Sequence, residues 1–259
     1  MYFSTHFYST QILNTFRGIS ATGHTQLWVG LFISDPTATG TAGVEVAYPG
    51  YQRQELAFTP PATHNGHLTI HNTQDITWPV SDQTLPPITH IGIFNSSTAG
   101  NMLLRGALTV PLAINPNQQP SILAGDIMYW GRGNFSEAFR EAYLNILRGI
   151  TLSGFEPRMA LYDGNPESGG FELSGEGYGR ATMSFAAPQV GDSGTVSIRN
   201  ENAIAFPRAL GTWGQWTHDA ITRGETSEIA GILPNEPVET IRRNYNPRIA
   251  QGEYEIWHS

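Results

Sequence analysis

The chain has 259 residues, a formal net charge of −8 and only 14% charged residues. That length admits one large or two modest domains, and the acidic balance argues against a dedicated nucleic-acid binder. Cysteine is absent, which excludes disulfides and thiolate chemistry, and no apolar run is long enough for a membrane span. All 14 basic residues are arginine, for which codon bias is the plainest account. The opening "MYFSTHFYST" has neither the basic nor the apolar region of a signal peptide.

The first expected element is a helix. Phe3, Phe7, Tyr8, Ile12, Phe16 and Ile19 recur at spacings of three to five, which predicts one apolar stripe on a helix of about four turns. The helix should stop in "LNTFRGI". Gly18 suits the left-handed position after a helix, and Arg17 sets a cation by the negative end of the helix dipole.

Beyond the helix the period falls to two. "LWVGLFI" and "ITHIGIF" read as buried strands, "HLTIHN" as an alternating one, and "NMLLRGALTVPLAI" as one or two more. Clusters of Gly, Pro, Asn and Asp separate them at the intervals typical of sandwiches.

At Leu144 the series starts again. "LNILRGI" repeats the helix stop 131 residues on, with Arg148 and Gly149 in the places of Arg17 and Gly18. Phe135, Phe139, Tyr143, Leu147 and Ile150 form the matching stripe. "GVEVAYPGYQRQELAF" returns as "GFELSGEGYGRATMSF", "GHLTIHNTQDITWP" as "GTVSIRNENAIAFP", and Thr89-His90 as Thr217-His218. A period this long is a duplicated domain rather than a solenoid repeat. The expected fold is mainly β: two tandem antiparallel β-sandwich units, residues 1–131 and 132–259, each opened by an amphipathic helix and joined by the short linker "YWGRGN".

Candidate chemistry is sparse. His64, His67 and His71 are the one histidine cluster, but the second unit has Thr195 and Arg199 where the first has His67 and His71, and no acidic third ligand accompanies them. Exposed strand histidines are the plainer account. His90 and His218 recur without a matching nucleophile or carboxylate, so a structural hydrogen bond is expected of each. Tyr51/Arg53 and Tyr178/Arg180 recur as Tyr-x-Arg, the spacing of a stacked cation–π pair on one strand face. Glu45 and Glu172 each stand alone in their strands. The Gly-rich stretches lack a phosphate loop's lysine. No catalytic, metal or cofactor residue emerges, and the chain reads as no enzyme.

The order of helix, "LWVGLFISDPT", "GVEVAYPGYQRQELAF", "ITWP" and "THIGIFNSSTAGNMLLRGAL" resembles a group of small tailed-phage virion proteins often labelled tail fibre proteins. The resemblance covers nearly all of residues 1–130. In the second unit the phrase "GNMLLRGAL" gives way to "TRGETSEIAGIL". The resemblance implies a virion structural protein, made in the bacterial host cytoplasm, with other virion proteins as partners. A tail or baseplate fibre, or an adaptor carrying fibres, competes with a capsid decoration protein. From another class comes a carbohydrate-binding module for a host surface glycan, for which Trp213 and Trp216 are the best aromatic candidates. A glycan hydrolase would need two placed carboxylates, and none can be nominated. Because aromatics are enriched at interface cores, the helix stripes, with Phe7, Ile12, Phe16, Phe139, Tyr143 and Leu147, are the expected assembly interface. Two like units per chain also fit a homotrimer with pseudo-sixfold character, since closed rings need recurring patches.

Overall fold

A computed structural model describes residues 2–192 and 194–259. The first unit runs β1 (Tyr2–Ser4), α1 (His6–Asn14), β2 (Leu27–Phe32), β3 (Gln54–Leu56), β4 (Ala62–His64), β5 (His67–His71), β6 (Ile76–Thr77), β7 (Ile88–Phe94), β8 (Met102–Leu112), β9 (Ser121–Ile122) and β10 (Met128–Trp130). The second runs α2 (Glu137–Leu144), β11 (Pro157–Asp163), β12 (Phe171–Glu172), β13 (Ala181–Thr182), β14 (Gln189–Val190), β15 (Val196–Arg199), β16 (Ile204–Ala205), β17 (Gly214–Arg223), β18 (Ile229–Ile241), β19 (Arg248–Ile249) and β20 (Glu255–His258). The expected fold class holds: two tandem antiparallel sandwiches, each opened by a helix.

The sheets repeat pair by pair. The large sheet of the first unit has the order β1-β8-β7-β2-β3, and the second unit places β18, β17, β11 and β13 in the same succession. Val29 faces Gln54 as Met159 faces Ala181, and Gly30 faces Gly92 as Ala160 faces Ala220. The opposing sheet is β10-β5-β4 in one unit and β20-β15-β14 in the other. Inward residues such as Val29, Leu31, Ile91, Ile93, Met159, Leu161 and Ile221 are fully buried between the layers, as a period of two requires.

The helices are shorter than the stripe suggested. Phe3 lies in β1, which pairs with β8, and α1 begins after Thr5. Its hydroxyl accepts from Tyr8 N–H at the N-cap, as Ser136 does from Phe139 N–H in α2. Each helix closes in a 3₁₀ turn, Thr15–Arg17 or Asn145–Arg148. Gly18 (φ +78°) and Gly149 (φ +85°) are left-handed stops, as expected. Arg17 and Arg148 each donate to the asparagine three residues back, Asn14 (2.7 Å) and Asn145 (2.5 Å). The repeated phrase is therefore a helix end tied by an Asn–Arg pair and turned by glycine. Ile19 and Ile150 fall beyond the stop and are about half exposed.

Candidate functional site

The repeated phrase also builds the seam between the units. Ala21 and Leu152 exchange both backbone hydrogen bonds at 2.9 Å. His24 N–H donates to Ile146 O (2.8 Å), and Phe155 N–H to Thr15 O (2.9 Å). Gly23 N–H meets Thr151 Oγ1 at 3.1 Å, and Gly154 N–H meets Ser20 Oγ at 3.1 Å. Each of these contacts has its mirror with the units interchanged, which defines an isologous pairing about a local twofold axis. The glycines are required by proximity: a Cβ on Gly23 would lie 2.2 Å from the Gly149 carbonyl carbon, and one on Gly154 would lie 2.2 Å from that of Gly18.

Each helix crosses this seam. α1 packs on β15 and β20 of the second unit as well as on its own β8, and α2 packs on β5 of the first unit. Ser9 Oγ meets His258 Nδ1 at 2.9 Å, and Tyr8 donates its hydroxyl to Tyr143 O at 2.6 Å. Phe16 sits among Phe135, Phe139, Phe155 and Phe185, all from the second unit. Ile12, Phe16, Phe139, Tyr143 and Leu147 are buried there, and Phe7 is half-buried. The helices do pack outside their own sandwiches, but inside the same chain. Those five side chains are closed to another molecule, which corrects their expected role as an assembly interface.

The second repeated constellation is polar. Tyr51 donates its hydroxyl to Glu45 Oε1 (3.0 Å) and accepts from Leu31 N–H (2.9 Å). Arg53 grips the same carboxylate through Nε (2.9 Å) and Nη2 (2.8 Å). Its remaining nitrogen reaches Ala99 O at 2.8 Å. Tyr178, Glu172, Arg180 and Leu161 N–H repeat the arrangement at 2.7–3.2 Å. Burial opposes the charge on Glu172, but the bonds from Arg180 and Tyr178 outweigh it and hold its pKa below the usual carboxylate value. Burial raises both tyrosines. So Tyr-x-Arg is not a stacked pair. Both residues clamp the glutamate that looked solitary in sequence, and Arg53 stacks instead on Phe94, 3.3 Å from the ring centroid. The cluster ties the β2–β3 and β11–β13 connections to the large sheets.

The histidines make local contacts. His90 Nδ1 meets Thr89 Oγ1 at 2.8 Å, and His218 Nδ1 meets Thr217 Oγ1 at 3.0 Å; Thr217 also bonds Tyr162 O and Gly164 N–H. In the other cluster, His67 stacks on Trp130 at 5.4 Å, and His64 meets His71 edge-on at 5.7 Å. Trp213 and Trp216, the aromatic candidates for sugar stacking, are buried and donate to Glu176 O (3.0 Å) and Asp219 Oδ1 (2.8 Å). Trp257 is 40% exposed, and Thr195 stands where His67 stacks on the matching Trp130.

A family model described as "Podophage GP4 fiber I protein gp80" matches residues 3–129 and again residues 134–234. The two segments fall on the two sandwiches. Curated proteins include no significantly similar sequence. Matched over nearly its whole length by a phage fibre model applied twice, the chain belongs to the podophage GP4 fiber I family as a tandem of two like units.

Proposed function

We propose that the chain is a non-enzymatic structural part of the phage tail, a short fibre or the adaptor that carries one, with the boundary between its units at residues 131/132. The observation that carries this is the fibre-family match over both units. Each unit is a compact sandwich, a shape that suits a joint or knob better than a shaft. Its partners are other virion proteins, and it is made in the host cytoplasm before assembly. Self-association on the particle would use surfaces away from the sealed helices. Low-resolution imaging of the particle with this chain tagged tests the reading. Density at the tail supports it, and density spread over the capsid lattice would replace it with a decoration role.

A host-glycan reading draws support from Trp257, which lines a shallow groove with Thr195, Ser197 and Glu255. Glycan-array binding lost in Trp257→Ala would favour it. An array with no signal removes it.

A further inference from the structure

The two units carry opposite chemistry at one equivalent place. In each, a bulge in the long outer strand (β8 or β18) overhangs the mouth of the sandwich. The pocket beneath has a volume of about 410 Å³ in the first unit and about 400 Å³ in the second. In the first it is walled mainly by Leu108, Leu112, Ile122, Met128 and Trp130, with Asp126 its sole carboxylate. In the second, five carboxylates line it: Asp219, Glu236, Glu239, Glu253 and Glu255. Strand register gives the correspondence. Asp219 pairs with Leu233 as Ile91 pairs with Gly106, Glu239 with Trp216 as Leu112 with Ile88, and Glu255 with Arg199 as Met128 with His71. Glu236 occupies the place of Thr109 in a bulge of equal length. Four of the five acids are thus new to the second unit, and all four face one pocket.

Two further features are hard to account for by surface drift. Asp219 is 5% exposed, where the first unit buries an isoleucine. One carboxylate oxygen accepts from the Trp216 indole N–H at 2.8 Å. Tyr254, also lining the pocket, replaces Ile127, and its buried hydroxyl has no hydrogen-bond partner among the described residues. Buried carboxylates and hydroxyls left this way are costly unless something pairs with them. Around them Leu233, Pro234, Pro237 and Ile249 give apolar walls, and Arg248 is the one cation of the lining.

Apolar walls over an anionic floor fit a long side chain with a cationic tip. A carboxylate beside a phenol oxygen offers acceptors to a group with several donors in a fixed fork. We propose that this pocket is a socket for an arginine side chain of a partner protein, with Asp219 receiving the guanidinium and Tyr254 assisting. The socket rests on the pocket's own chemistry and not on where in the particle the chain sits. It also gives the duplicated chain one apolar and one anionic docking place.

The test uses the full-length chain and two probes, N-acetyl-argininamide and its uncharged citrulline analogue, titrated by calorimetry at pH 8, where Asp219 is ionised. The arginine probe should bind at least tenfold more tightly than the citrulline one. Asp219→Asn, which keeps an acceptor for Trp216, should abolish that preference without lowering the melting temperature. Glu253→Gln should weaken it, and Asp126→Asn in the first unit should leave it unchanged. Equal binding of both probes, binding of neither, or a preference that survives Asp219→Asn would overturn the socket. A concentration-dependent dimer lost in Asp219→Asn would assign the pocket to a second copy and overturn the partner named here.

Discussion

His258 lies between the units, boxed by Tyr8, Phe135 and Tyr143. Burial, with a smaller push from Arg132, lowers its pKa from 6.5 to about 3. The folded state therefore keeps it neutral, while the unfolded chain takes a proton below pH 6.5. Stability should fall as pH drops from 6.5 toward 3, by at most about 1.4 kcal/mol per pH unit. Asp219 acts in the other direction. Burial raises its pKa from 3.8 to about 7, against the Trp216 bond, so the folded state holds a proton that the unfolded state releases, and stability is lost as pH rises from 3.8 to 7. Urea unfolding separates the two: the advantage of His258→Gln over the wild type should grow on acidification, and that of Asp219→Asn should grow toward neutral pH. The clamps make a third expectation. Arg53→Ala and Arg180→Ala each strand a half-buried glutamate and its tyrosine, at a cost of about 3 kcal/mol, and Arg53→Ala should cost more because it also removes the stack on Phe94. The sequence showed the recurrent tyrosine and arginine of these clamps. It did not show that they converge on Glu45 and Glu172, because the glutamate arrives on a separate connection.

At the scale of elements, the helix ends explain why the chain repeats one phrase. The left-handed glycine is local, so the stop could be read directly from residues 13–19 and 144–150; the sequence placed the arginine by the helix dipole, and the structure adds its bond to the asparagine three residues back. The helix starts could not. Phe3 and Phe135 keep the helical spacing, yet each is held outside its helix by a β8-type strand, Phe3 against Arg105 and Phe135 against Gly231. Apolar spacing records burial, and pairing with a strand buries a side chain equally well. The seam gives a sharp test. Gly23→Ala and Gly154→Ala should each destabilise by about 2 kcal/mol or more through backbone overlap. Gly18→Ala, with open space around its Cβ, should cost only the left-handed backbone penalty of about 1 kcal/mol. Equal losses in all three would show that the seam is not close-packed. Phe139→Asp places a charge in the aromatic core and should unfold the isolated chain, whereas half-buried Phe7→Asp should be better tolerated; circular dichroism distinguishes them.

For the whole molecule, the exchanged helices make each sandwich depend on the other unit. A protease site introduced at residues 131–134 should therefore give two fragments that still co-elute at the volume of the intact chain. Separation after cleavage would mean that the units are merely tethered. The same sealing of the helices leads us to expect a monomer from mass measurement of the purified protein, with self-association left to the particle.

The sequence by itself determined the duplication, the sandwich class of each unit, the position of each helix stop and the fibre family. Those rest on order, period and local turn chemistry, which short stretches carry completely. Only the tertiary structure decided what covers each apolar face. Periodicity marks a face as buried but is silent on the partner, and here the partner is the other unit of the same chain across a local twofold axis. The anionic pocket belongs to the same class of fact. Asp219, Glu239, Tyr254 and Glu255 come from three strands and a loop, and only the closing of the sandwich brings their charges to one mouth.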